Sequence, residues 1–210
     1  MASSFKTKIA ETLFLFDLDG TVTEEETLPL IAKNFPGIKE DIEALTKDTI
    51  EGKVPFIESF IKRVNVLGKL PVSQIRDLIT KTKLNSHIAS FIVTHPRNCR
   101  VITQNLDCWV VPLLKRLGCA YFVSTACVKD DHVIRLDQII NKEQVTAQCR
   151  RSAERVVFIG EGNNDAQAMM VSDISIAFGG VHPPSRTVRS VATHAVYSAE
   201  RLCTFLKQLL

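Results

Sequence analysis

The chain has 210 residues, 45% of them apolar, which is enough for one sizeable core and unlike the make-up of a disordered or fibrous segment. Its 26 basic and 23 acidic residues leave a net charge of +3 with no polybasic run, which argues against a nucleic-acid or anionic-membrane partner. No stretch approaches the ~20 apolar residues of a membrane span, and residues 1–10 carry Lys6 and Lys8 without an apolar signal core, so a soluble cytoplasmic protein is expected.

The first element is a short apolar strand, Leu13-Phe14-Leu15-Phe16, that delivers Asp17 and Asp19 into the turn Asp17-Leu18-Asp19-Gly20-Thr21. An apolar run bounded by turn residues reads as a buried strand, and ligands in open α/β sheets bind just beyond the carboxyl ends of strands. Two like charges so close cost free energy unless a cation or a proton offsets them, so the pair points to a metal or acid/base site. The competing reading is a capped loop, with Asp17 satisfying backbone amides and Asp19 serving the turn. This segment alone leaves both open.

Helical periodicity follows over 26–83, broken at Pro36-Gly37, Gly52, Gly68 and Pro71. Its apolar stripes are Ile38, Ile42 and Leu45; Phe56, Phe60, Val64 and Leu67; and Val72, Ile75, Leu78 and Ile79. They read first as packing surfaces. The division expected is an all-helical insertion, 24–83, in a core formed by 1–23 and 84–210.

Beyond 84 the chain alternates: helix 86–93, strand 100–103, helix 110–117, strand 121–124. Lys129-Asp130-Asp131-His132 reads as a hairpin tip. Helix 143–151, strand 155–159, a helix through 170, strands 174–178 and 194–197 and a terminal helix from 199 complete a βαβ rhythm, that of an α/β fold with a mostly parallel sheet. Thr103 offers a hydroxyl at a strand end, with Gln104 and Asn105 as donors where the next helix should start, and helix amino ends attract anions. A β-branched residue that simply ends a strand is the plainer reading of Thr103. Lys142 opens a predicted helix, with Lys129 as its competitor for a functional role. Cysteines 99, 108, 119, 127, 149 and 203 show no close-paired metal spacing and read as reduced core residues.

Gly160-Glu161-Gly162-Asn163-Asn164-Asp165 repeats the logic of the first site, because an apolar strand again ends in glycines holding two carboxylates. Taken singly, Asp165 reads as a helix cap and Glu161 as a solvated loop residue. Gathered at one edge, the four acidic groups make an oxygen-rich pocket suited to magnesium.

With these segments in order, the chain resembles the haloacid dehalogenase superfamily of phosphatases. Their Asp-x-Asp-x-Thr strand end, Ser/Thr strand end, lysine and Gly-Asp-x-x-x-Asp-type loop correspond to Asp17 to Thr21, Thr103, Lys142 and Gly160 to Asp165. The resemblance spans the chain and implies a Rossmann-like core with a small all-helical cap inserted after the first strand. Within the superfamily it is most similar to phosphoserine phosphatases, through Glu24-Glu25-Glu26-Thr27, Ile50-Glu51-Gly52-Lys53 and Phe56 to Lys62-Arg63-Val64.

That resemblance implies that Asp17 attacks phosphorus to form an aspartyl phosphate while Asp19 protonates the leaving oxygen and then activates water. Thr103 and the Gln104 amide would position the phosphoryl group, and Lys142 would offset its charge. Mg2+ would be held by Asp17, the Asp19 carbonyl and the acidic-loop carboxylates Glu161 and Asp165. Glu26 would bind the ammonium of a phosphorylated amino acid and Arg63 its carboxylate, with Phe56 shielding the site, Asn164 also binding substrate and the helical insertion acting as a lid. The implied activity is magnesium-dependent hydrolysis of a small phosphate ester, O-phosphoserine first. The alternatives are transfer to an alcohol such as homoserine, and a binding protein without turnover. Two departures stand out: Glu161 replaces the usual aspartate, and Thr103-Gln104-Asn105 replaces serine and two glycines.

Overall fold

The computed structural model describes residues 10–50 and 53–210. The expected break at Gly52, and residues 1–9 with Lys6 and Lys8, lie outside the described residues. Strand β1, Ala10–Phe16, is the centre of the molecule. Leu13, Phe14, Leu15 and Phe16 are all buried, because helices cover both faces of the sheet. Phe14 and Phe16 pack on one side with Phe91 and Ile159, while Leu13 and Leu15 pack on the other with Ile102 and Phe158. The alternation of a strand thus divides one apolar run between two cores.

Strands β2 (Cys99–Leu106), β3 (Ala120–Lys129), β4 (His132–Gln138), β5 (Ala153–Gly160), β6 (Ile174–Phe178) and β7 (His194–Val196) complete a seven-stranded sheet in the order β4-β3-β2-β1-β5-β6-β7. All pairings are parallel except β3 with β4. The fold is the expected α/β, Rossmann-like sheet flanked by helices. Phe16 lies opposite both Val101 and Ile159, so Asp17, Thr103 and Gly160 come to one edge.

Between β1 and β2 the chain forms α1 (Thr27–Asn34), a short turn of 3-10 helix at Pro36–Ile38, α2 (Lys39–Ile50), α3 (Phe56–Leu67), α4 (Val72–Thr80) and α5 (Ser86–Thr94). Gly68 ends α3 and Pro71 precedes α4, where the sequence places breaks. The two connections to this helical segment run side by side: Thr23 bridges Leu84, Glu24 N donates to Lys83 O and Asn85 N to Val22 O. Helices α6 (Asp107–Lys115), α7 (Lys142–Arg150), α8 (Ala166–Met170), α9 (Arg186–Val191) and α10 (Ala199–Lys207) complete the fold.

Two details differ from the sequence reading, and a third, the expected hairpin tip, forms in a way the sequence does not announce. β2 does not stop at Thr103 but continues to Leu106, which pairs with Ser124 past a register shift, so α6 begins at Asp107 and Gln104 and Asn105 are not at a helix amino end. Helix α9 is additional; six residues are too few to show apolar periodicity. The hairpin tip forms without glycine because Asp130 (φ 50) and Asp131 (φ 62) both adopt the left-handed conformation that aspartate tolerates. Asp131 then accepts hydrogen bonds from Ser73 N (2.9 Å) and Ser73 Oγ (2.5 Å), docking the hairpin on the first turn of α4. All six cysteines are free, and burial raises the thiols of Cys119 and Cys203 to about 11. Among the described residues no helix is long and apolar enough to cross a membrane.

The Phe14 ring meets Phe91 of α5 edge-on at 5.3 Å, joining β1 to the helical layer. Phe14→Ala is expected to lower the unfolding free energy by about 3–5 kcal/mol and the Tm by roughly 10 °C. Thermal denaturation tests this, and a drop of only about 1–2 °C would show that the contact does not carry that packing.

Candidate active site

At the carboxyl edge of the sheet, β1 hands the chain to a wide turn, Leu18–Val22, in which Gly20 has φ +65. A Cβ there would lie 2.8 Å from His182 Nε2 and 2.9 Å from Glu26 Oε1, so only glycine leaves room for the side chains that close over it. Asp17 is buried, and its Oδ1 accepts from Leu18 N (2.8 Å) and Lys142 Nζ (2.6 Å). Lys142, the first residue of α7, also reaches Asp165 Oδ1 at 2.7 Å. The other Asp165 oxygen accepts from Glu161 N and Gly162 N, both at 3.0 Å, which fixes the acidic loop. Gly160 is required because a Cβ would collide with the Asp165 carboxylate.

Asp19 is held from two sides. Its Oδ1 accepts from Thr27 N (3.1 Å) and Thr27 Oγ1 at the start of α1, and its Oδ2 accepts from Asn105 Nδ2 at 2.6 Å. Asn105 also donates through N and Nδ2 to Thr103 Oγ1, both at 3.2 Å, so the Thr103 hydroxyl is left to donate its own proton. Gln104 turns away from the acids: its Oε1 accepts from Asn164 Nδ2 (3.0 Å) and its Nε2 donates to Ile140 O (3.3 Å).

Every expected site residue except Asp165 lines one cavity of about 140 Å³. Asp17, Asp19, Thr103, Gln104, Lys142, Glu161 and Asn164 come from the sheet edge, Glu26 from the segment leading into α1, and Phe56 and Arg63 from α3. The Phe60, Val64 and Leu67 stripe of α3 forms part of the wall, so a surface read as packing also faces the cavity. Arg63 is buried, its guanidinium carbon 5.4 Å from the Phe56 ring centroid, and its Nε donates to Ser59 O at 3.3 Å. Asp165 instead anchors Lys142 and the loop from behind, with both oxygens engaged.

Several functional groups escape sequence reasoning. His182 Nε2 lies 2.6 Å from Glu26 Oε1 and 3.5 Å from Glu161 Oε2, and the three residues offer ligand atoms within 4.8 Å of one another. It belongs to Gly179-Gly180-Val181-His182-Pro183-Pro184, a turn-rich loop following another strand end at the same edge, which is the one signal that marks it. Thr27, Asn105 in its contact with Asp19, and Trp109, which lines the cavity from α6, are the others.

The electrostatics follow from burial first, and then from carboxylates outnumbering the one ammonium among them. Burial depresses the Lys142 ammonium, but the Asp165 and Asp17 carboxylates outweigh it and hold the group charged. One ammonium shared by two carboxylates leaves Asp17 raised well above its ordinary range, by burial first and by Asp165 next. Burial and then Glu26 raise Asp19 to about 6 despite its hydrogen bonds from Thr27 and Asn105. Burial, then Asp17, Glu26 and Asp165, raise Glu161 to about 9.

A buried set of acids around one lysine thus stands at the carboxyl ends of parallel strands, and the family comparison says which class of protein carries it. The family model for haloacid dehalogenase-like hydrolases matches residues 12–171, and the chain belongs to that family. It is 27% identical over 179 residues to a phosphoserine phosphatase of Methanocaldococcus jannaschii, covering 79% of this chain and 84% of that one. It is 25% identical over 179 residues to phosphoserine phosphatase SerB2 of Mycobacterium tuberculosis, again covering 79% of this chain but 44% of that longer protein. A solved phosphoserine phosphatase, a phospho-aspartyl intermediate analogue, superposes with a TM-score of 0.76 at 24% identity, over 95% of this chain and 99% of that one.

Two tests follow from the charge balance. Lys142→Met leaves Asp17 and Asp165 without their cation and is expected to cost about 3–5 kcal/mol in urea denaturation, part of it recovered by adding Asp17→Asn; a cost under about 1 kcal/mol would sink the argument. A carboxyl raised from 4.5 to about 9 on folding stays protonated in the folded protein at pH values where the unfolded chain releases the proton. Its contribution to stability is therefore complete below about pH 4.5 and is lost as pH rises through about 9. In chelator, stability should fall across that range, and Glu161→Gln should flatten the fall; equal slopes in both proteins would contradict the assignment.

Proposed function

We propose that the chain is a magnesium-dependent phosphomonoesterase of small phosphate esters, with O-phosphoserine as first candidate, acting through an aspartyl phosphate on Asp17. The observation that carries this is the convergence of Asp17, Asp19, Thr103 and Lys142 on one cavity that Phe56 and Arg63 face from the helical side. The similarity to phosphoserine phosphatases supports the choice of first substrate.

Magnesium suits the donor set, because Asp17, the Asp19 carbonyl and Glu161 supply hard oxygens at one cavity where Lys142 is the ammonium paired with the acids. A divalent cation bound there offsets phosphate charge that otherwise repels the Asp17 carboxylate. Asp165, with both oxygens engaged, serves in this reading by positioning Lys142 and Glu161 rather than as a ligand.

In the first step an Asp17 oxygen bonds to phosphorus as the bond to the leaving alcohol breaks, and Asp19 gives that oxygen a proton. In the second Asp19 takes a proton from water, the water oxygen bonds to phosphorus, the bond from phosphorus to the Asp17 oxygen breaks and phosphate leaves. A carboxyl raised to about 6 exchanges protons in both directions near neutral pH. Lys142 and the Thr103 hydroxyl hold phosphoryl oxygens. Arg63 takes the substrate carboxylate, and the Glu26 oxygen not bonded to His182 takes its ammonium. Residues 24–83, joined to the core by the paired connections at Thr23 and Leu84, cover the cavity and exclude water during transfer.

Phosphate release from a panel of small esters, with and without magnesium, tests the reading. Turnover of O-phosphoserine should require the metal, be lost in Asp17→Asn and fall about 10²–10⁴-fold in Asp19→Asn. Turnover of other esters alone would reject the substrate, and a phosphorylated product with added homoserine would assign phosphotransfer. No turnover of any ester would favour a binding protein.

A further inference from the structure

The cavity that holds the acids adjoins a second, outer groove of about 760 Å³ between the helical segment and the core. Val54 and Ile57 come to it from the helical side, and Ile139, Asn141 and Asn163 from the core. Gln104, Asn164, Phe56 and Lys142 line both spaces and so stand at their boundary. Of these four, Gln104 and Asn164 bond to each other, Gln104 Oε1 accepting from Asn164 Nδ2 at 3.0 Å. The other end of the same amide donates from Nε2 to Ile140 O at 3.3 Å. One side chain from β2 is thus fastened both to the loop after β5 and to the segment leading into α7. Making both bonds takes a side chain that accepts at one end and donates at the other. Half-buried and held at both ends, this amide gives up two hydrogen bonds if it swings aside.

We propose that the Gln104 side chain is a specificity-determining bar between the two spaces, one that confines the leaving alcohol to the inner cavity of about 140 Å³, so that the substrates are phosphate monoesters of short alcohols. This rests on the phosphomonoesterase reading above. Thr103 and Asn105 turn to the acids, and Gln104 between them turns the other way, as alternation along a strand directs. The bar therefore stands beside the phosphoryl position without entering it. Beyond the bar the groove offers apolar Val54, Ile57 and Ile139, and Ile57 is 48% exposed. An alkyl chain that passed Gln104 would find apolar surface to cover. The exclusion of long alcohols thus belongs to the fastened amide and not to the groove, and removing the amide should admit them.

Ethyl-, butyl- and hexylphosphonate carry the same anion, resist hydrolysis and differ in length alone, so their dissociation constants, measured by calorimetry with magnesium present, read the bar without turnover. In the wild-type chain affinity should fall about tenfold from ethyl- to hexylphosphonate. Gln104→Ala should tighten hexylphosphonate about tenfold, and Asn164→Ala, which frees one end of the amide, should tighten it by less. Damage to the site weakens every ligand, so a gain on the longest one is not a result that structural loss produces. Asn164→Ala, in a loop, covers the case in which Gln104→Ala fails to fold. Equal affinities across the series in the wild-type chain, no binding of ethylphosphonate, or no gain on hexylphosphonate in the folded variants would overturn the inference. Absence of phosphate release from any ester by the wild-type chain is a different result, which overturns the phosphomonoesterase reading itself.

Discussion

The sheet edge depends on one ammonium held between two carboxylates. Lys142 has a side chain 2% exposed and touches Asp17 at 2.6 Å and Asp165 at 2.7 Å. Burying such a charge costs several kcal/mol unless it is paired, and the first position of a helix is the wrong end of the macrodipole for a cation. The carboxylates therefore set its place against the preference of α7 itself. Asp165 transmits that constraint, because the oxygen not bonded to Lys142 receives the amides of Glu161 and Gly162 and so aims Glu161 at the cavity. The lysine that balances Asp17 thus also shapes the loop supplying the next acid.

A second constraint ties the sheet edge to the helices above it. Asp19 accepts from Thr27 at the amino end of α1, where the dipole favours an anion, and from Asn105 at the end of β2. Any displacement of α1 changes what Asp19 is bonded to. Meanwhile α4 is fixed more firmly, by the Asp131 hairpin tip at its start and by Arg116, which donates to Thr80 O at its end. The helical segment is thus pinned on the α4 side and meets the acids through α1 and α3.

Most of the architecture was legible because it is local. β1 and β5 are apolar runs ending in glycines and acids, and the helical stripes between 26 and 83 have clear period. Parallel strands next to β1 must bring their carboxyl ends together, so the meeting of Asp17, Thr103 and Glu161 follows from strand order. What was not legible depends on contacts between distant segments. The extension of β2 through Leu106 is set by pairing with β3, which nothing in Thr103-Gln104-Asn105 announces. Asp165 reads as a ligand from its motif, and only the positions of Lys142 and two amides show its oxygens engaged. His182 is a lone histidine in a glycine- and proline-rich loop, and its partner Glu26 is 156 residues away.

Glu161 and His182 belong to one arrangement. A glutamate places its oxygens one methylene farther from the backbone than an aspartate, and here one of them lies 3.5 Å from His182 Nε2. The imidazole in turn lies 2.6 Å from Glu26, so a single ring nitrogen stands between an acid of the loop after β5 and one of the segment leading into α1. Both contacts require the space above Gly20, where any β-carbon would meet His182 Nε2, Glu26 Oε1 and Glu161 Oε1. The longer acid, the histidine loop and the bare turn after β1 are thus mutually dependent, and an aspartate at position 161 would withdraw its carboxylate from the histidine and leave that nitrogen to Glu26 alone.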